Sequence, residues 1–193
     1  MVKGPLFRQT TESHGVPFFS YLDDNSGMRQ IAQHRFDIYK HLGRFAQAIL
    51  RGPSPLTPAE RELIAAYVSA LNACSFCHGS HAATAQALGA DPGTIEALIE
   101  DLDSAPVKAR MKPIFRYVKK LTETPSRMVE ADAQAVFDAG WDEDALHDVI
   151  VVCALFNSYN RIVEGHGIKG RPQHDFPRRG RMLAEFGYDF SDA

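Results

Sequence analysis

A chain of 193 residues, 45% hydrophobic, 10% aromatic and 23% charged, has the length and balance of one soluble globular domain with a sizeable core. Its formal charge of −3 offers no basic field for nucleic acid or an anionic membrane, and its longest apolar run, 149–156, is too short to span a bilayer. The N-terminus lacks the apolar stretch of a signal peptide and three cysteines are too few for a disulfide scaffold, so a cytoplasmic location is the expectation.

Residues 1–25 hold Gly4, Pro5, Gly15 and Pro17 with the apolar cluster Phe18, Phe19 and Tyr21, which reads as an irregular arm whose aromatics pack onto something. From 28 to 50 the spacing of Ile31, Phe36, Ile38, Tyr39, Leu42, Phe45 and Ile49 predicts helix, with a break near Gly43. Thr57-Pro-Ala-Glu60 is a helix start. Threonine can cap, proline fits the first position, and glutamate three residues on completes a capping box. That helix runs to about Ala73. A second covers 75–88 with Gly89 as its stop, and a short one spans 94–102. Further helices are expected over 106–121, kinked at Pro113, then over 128–139, and from a cap at Asp142 to Gly165 or Gly167. Residues 171–193 read as a loose tail with one short helix near 181–186. No segment alternates with period 2, so the chain is expected to be a single all-α domain.

The chemistry concentrates at 74–81, Cys-Ser-Phe-Cys-His-Gly-Ser-His. Cys77 and His81 are four residues apart, on one face of a helix and near enough for proton exchange. A thiol reacts as thiolate, and a helix N-terminus together with a nearby base favours that form. Cys74 has the spacing to close a disulfide with Cys77. A zinc set of Cys74, Cys77, His78 and His81 is the competing reading. On one helix Cys74 and His81 would lie roughly 10 Å apart along the axis, too far for ligands of one ion. A buried pair of small residues beside a surface histidine is the bland alternative.

Glu62 heads a stripe of small residues, Ala66, Ser69, Ala70 and Ala73, that leads towards Cys74. It can be a solvated first-turn carboxylate or one end of a proton path. Cys153 reads as an inert core thiol. Asn157, Asn160 and Arg161, with Glu164 beyond, read as a buried polar network or a subunit contact.

The stretch Glu62-Leu-Ile-Ala-Ala-Tyr-Val-Ser-Ala-Leu-Asn-Ala-Cys-Ser-Phe-Cys-His-Gly-Ser-His81 resembles the core of the alkylhydroperoxidase D (AhpD-like) group in the carboxymuconolactone decarboxylase superfamily. Ala154-Leu-Phe-Asn-Ser-Tyr-Asn-Arg161 resembles its peroxidase-related branch. The resemblance implies the AhpD-like helical fold, a homo-oligomer of three or six subunits, and hydroperoxide reduction without cofactor or metal. It implies that Cys77 attacks peroxide, Cys74 resolves it and faces an external lipoyl or thioredoxin-like dithiol, and His81 and Glu62 relay protons. Where some members place a histidine between the cysteines, this chain has Phe76. The alternatives are a lactone-acid decarboxylase or isomerase using His81 and Glu62, and a redox-sensing oligomer without turnover.

Overall fold

The computed structural model describes residues 17–170 and 175–189. Among them the chain forms nine α-helices, a single 3-10 turn at Pro125–Arg127 and no strand, the all-α class expected. The helices are α1 (Met28–His34), α2 (Phe36–Arg51), α3 (Pro58–Leu71), α4 (Ser75–Ala87), α5 (Thr94–Glu100), α6 (Met111–Glu123), α7 (Glu130–Asp138), α8 (Glu143–Gly165) and α9 (Phe176–Phe186).

The core is built around α3, which is buried on every side from Arg61 to Ala70 and packs against α4, α6 and α8. Its start follows the rule read from the sequence: the Thr57 hydroxyl accepts from the Glu60 N–H, and the Glu60 carboxylate accepts from the Thr57 N–H at 2.9 Å. Tyr67 meets Phe115 of α6 edge to face, with centroids 5.3 Å apart. The Asp142 carboxylate accepts from the Ala145 N–H at 2.8 Å and so opens α8.

Three expectations are corrected. The break in 28–50 falls at Arg35 (φ −131°, ψ 58°), not at Gly43, because Gly43 lies on the buried stripe of α2 with Ala46 and Leu50. The helix expected from 106 begins at Met111, which places Pro113 in the first turn, where its missing N–H costs nothing and no kink is needed. Residues 171–174 and 190–193 of the tail lie outside the described residues; the described part, 175–189, does not hang free. Its helix extends back to Phe176 and lies along α4, because Gly180 presents bare backbone to Ala83. A Cβ at Gly180 would come within 2.5 Å of the Ala83 carbonyl.

The end of the N-terminal arm does pack. Leu22 is buried, Phe19 sits against His166 (centroids 4.8 Å apart), and Tyr21 stacks on His34 at 3.8 Å. Phe18, by contrast, stays 71% exposed. Residues 1–16 of the arm lie outside the described residues.

Candidate functional site

The turn between α3 and α4 places the two thiols. Ala73 adopts φ +55°, a left-handed conformation uncommon for a residue with a side chain, and reverses the chain in three residues. The Cys74 N–H then donates to the Ser69 carbonyl (2.9 Å), Cys74 caps α4, and Cys77 falls at the third helical position. A polar network fixes this corner from α8. Asn72 donates to Asn157 (3.1 Å) and Asn160 (2.9 Å), Asn160 donates to the Ser69 hydroxyl (3.0 Å), and Arg161 donates to Asn157. These are the polar residues of α8 singled out from the sequence, and their job is to hold the end of α3.

Cys74 has no exposed surface and Cys77 is 4% exposed; both are free thiols. The Cys74 thiol is pushed far above the ordinary thiol range, first by its hydrogen bond with Cys77 and then by burial. A Cys74 thiolate is therefore disfavoured beside Cys77. Cys153 is also buried, its pKa raised by burial, and it contacts the Thr122 hydroxyl at 3.3 Å, away from the pair.

His81 and Glu62 meet. His81 Nδ1 lies 2.7 Å from Glu62 Oε2, joining α4 to α3. The solvated reading of Glu62 fails, because the carboxylate has no exposed surface. It bears three partners: His81, Arg51 (2.7 Å to Oε1) and the Tyr188 hydroxyl (donating to Oε1 at 2.6 Å). Burial alone would raise the Glu62 pKa. The His81 hydrogen bond and the charges of His81 and Arg51 outweigh it, helped by Tyr188, and the pKa stays below the usual carboxylate range. An ionised Glu62 accepts the Nδ1 proton of His81 and leaves Nε2 as the basic ring nitrogen.

Arg51 and Tyr188 were not read from the sequence. Arg51 comes from the end of α2, where it also donates to the Leu183 carbonyl of α9 (3.1 Å) and lies 5.0 Å from the Tyr188 ring centroid. Tyr188 is delivered by Gly187, whose φ of +70° turns the chain back after α9. The Tyr188 N–H then donates to Gln47 at 2.7 Å. A Cβ at Gly187 would meet that same Gln47 amide at 2.1 Å. Burial, followed by the Glu62 charge, holds the Tyr188 phenol well above its ordinary pKa, so it remains a donor. The only sequence signal for these two was their residue type.

Cys77 and His81 line a cavity of about 50 Å³ with Phe76, Ser80, Met28, Tyr159, Arg179 and Tyr188. His78 turns away from it, its Nδ1 3.3 Å from the Ala66 carbonyl, so it does not stand in for a histidine between the cysteines. Phe76 occupies that position as a buried platform, with the Arg179 guanidinium 5.0 Å over its ring. A larger cleft of about 400 Å³ between the start of α3 and α6 contains neither thiol nor histidine.

Residues 37–120 match the model of the carboxymuconolactone decarboxylase family. No curated protein matches the chain. Three solved structures share its fold. An uncharacterized peroxidase-related protein with an alkylhydroperoxidase AhpD core from Ralstonia eutropha JMP134 is 24% identical over 79% of each chain (TM-score 0.71). An uncharacterized peroxidase-related protein from Silicibacter sp. TM1040 is 22% identical over 90% of this chain and 100% of its own (TM-score 0.68). A protein of unknown function from Agrobacterium tumefaciens is 20% identical over 75% and 94% (TM-score 0.60). The matched stretch carries Glu62, Cys74, Cys77 and His81 within the shared helical frame: over residues 37–120 the chain is similar to the carboxymuconolactone decarboxylase family, and its fold is the AhpD-like one of these structures.

Proposed function

We propose that this protein is a thiol-dependent hydroperoxide reductase. The observation that carries the reading is the line from Cys77 to His81 around one cavity and on to a buried, ionised Glu62 at 2.7 Å. His81 Nε2 takes the Cys77 proton. The thiolate attacks the terminal peroxide oxygen and the O–O bond breaks, giving a Cys77 sulfenic acid and an alkoxide that takes the proton back from His81 as alcohol. Cys74, kept as a thiol, then displaces water from the sulfenic acid and forms the disulfide, its own proton leaving with the hydroxide. An external dithiol of the lipoyl or thioredoxin type reduces the disulfide by exchange and is itself oxidised. Because both sulfurs are buried, that exchange requires local opening around the α3–α4 turn.

A cavity of about 50 Å³ holds a few heavy atoms, so hydrogen peroxide or a short alkyl hydroperoxide fits and an aromatic one does not without α9 shifting. The same volume disfavours a lactone acid, the substrate of the decarboxylase alternative. Peroxide consumption with a dithiol reductant tests the assignment. Cys77→Ser is expected to lose turnover, Cys74→Ser to lose multiple turnover while retaining one sulfenic acid equivalent. Turnover that survives in Cys77→Ser overturns the proposal.

Homo-oligomerisation belongs to the same reading. Phe36, Ile38 and Phe45 of α2 remain 39%, 50% and 46% exposed, an apolar set that a second copy would cover. Light scattering is expected to give three or six subunits, and a monomer would remove this part. Among the described residues, no helix is long and apolar enough to cross a membrane.

A further inference from the structure

The polar groups around Cys77 divide into a balanced set and an unbalanced one. Glu62 and Arg51 neutralise each other behind His81. Facing the same thiol are Cys74 from the start of α4, His81 from α4, Tyr159 from α8, and Tyr188 and Arg179 from α9 and its end. Of these, Arg179 alone is a permanent cation. It is half-buried, its Nε donates to the Ser80 hydroxyl at 2.8 Å, and its guanidinium carbon lies 5.0 Å from the Phe76 ring centroid. No carboxylate lies within ion-pair distance of it among the described residues. Arg178, one residue earlier, does have one, Asp175 at 3.6 Å.

A guanidinium taken out of water without a counter-ion is costly, and the fold spends a serine and an aromatic face on holding this one beside a thiol. A protein that needed Arg179 only to anchor α9 could have paired it with an acid. The peroxidase reaction supplies the missing anion twice: first as the Cys77 thiolate, then as the oxyanion released when the O–O bond breaks. A cation fixed at the cavity wall stabilises both without reorganising between them.

Building on the peroxidase reading above, we propose that Arg179 is the electrostatic partner of Cys77, pairing with its thiolate and then with the oxyanion leaving the peroxide. Helix α9 thus completes a site whose sulfurs come from α4. Burial lowers the Arg179 pKa, and a thiolate at Cys77 would pull it back up, the direction such a pairing requires. Phe76 acquires a purpose at the same time: where a histidine would add a second titrating ring, a phenylalanine gives the guanidinium an apolar face to rest on.

The test uses the full chain carrying Cys74→Ser, so that Cys77 is read without its partner. The pH dependence of iodoacetamide alkylation at Cys77 gives its pKa, and hydrogen peroxide oxidation at high pH gives the rate of the fully ionised thiolate. Arg179→Gln is expected to raise the pKa by about one unit and to slow the high-pH oxidation about a hundredfold. Arg179→Lys should recover most of the pKa, because it keeps the charge, but less of the rate, because it loses the planar fork. Should Arg179→Gln not fold, Ser80→Ala, which frees the guanidinium, is expected to move both quantities in the same direction by less. An unmoved pKa in the folded variant overturns the proposal. A moved pKa with unmoved oxidation overturns the oxyanion half. Alkylation needs no peroxide, so a protein that reduces no peroxide at all would sink the reductase reading while this pairing is still decided.

Discussion

The two halves of the site are built from chain segments of different character. The α3–α4 half carries Glu62, Cys74, Cys77 and His81 inside the stretch 37–120 that matches the family model. Its geometry follows from helical spacing and a single left-handed residue, Ala73. The α9 half carries Arg179 and Tyr188 outside that stretch, and it reaches the same cavity only because two glycines allow close approach, Gly180 onto Ala83 and Gly187 beside Gln47. In the proposed reaction one half holds the atoms that react. The other encloses them, satisfies the buried carboxylate and brings a cation. Under the proposed function, reaction type resides in the first half, and thiol reactivity and substrate size are set by the second.

Removing the charge that both halves share should do the most damage. Glu62→Gln leaves the half-buried Arg51 unpaired and takes the ionic acceptor from His81, so it is expected to cost about 3–5 kcal/mol in chemical denaturation. Peroxide turnover should fall with it. If stability is unchanged, the three-way contact does not bind the halves together.

Separating the halves without touching either set of reactive groups is the next test. Gly180→Val drives a branched side chain into the Ala83 backbone, where nothing flexible can give way. A loss of about 1–3 kcal/mol is expected, with α9 displaced. Peroxide activity should drop while bulkier hydroperoxides, such as cumene hydroperoxide, gain relative to hydrogen peroxide. Unaltered selectivity would mean that α9 does not limit the cavity.

How much of this was legible in the sequence follows the same division. Thr57-Pro-Ala-Glu60 and Asp142 announced their helices because caps are local, and the Cys77–His81 pair was readable because four residues make about one turn. Glu62 was ambiguous by position. A glutamate near a helix start is usually wet, and only the packing of α2, α4 and α9 around α3 buries this one. Gly43 and Pro113 misled for the converse reason. Both look like breaks, but one is a small residue on a buried stripe and the other sits in a first turn. Nothing local marks Arg51, Arg179 or Tyr188. They lie 11 residues before and 117 and 126 residues after Glu62, and their roles arise only from tertiary contact.

Tyr188→Phe removes one oxygen and makes a narrower cut than the glycine change. A hydrogen bond to a buried charge contributes about 1.5–3 kcal/mol, so a loss in that range is expected near neutral pH. The dependence on pH separates this charge-assisted bond from ordinary packing. The folded Glu62 pKa lies below its reference value of 4.5, so its stabilisation is complete above that pH and is lost as pH falls through the folded pKa. Taking away the Tyr188 donor raises the folded pKa, which leaves less stabilisation to lose. The gap between wild type and Tyr188→Phe should therefore be constant from about pH 6 to 8 and should narrow below about pH 4.5. Other carboxylates with lowered pKa values, such as Asp132 and Glu60, are common to both proteins and cancel in the difference. A gap that stays constant into acid would show that Tyr188 contributes by packing alone, and the α9 half would then be an enclosure rather than part of the charge arrangement at Glu62.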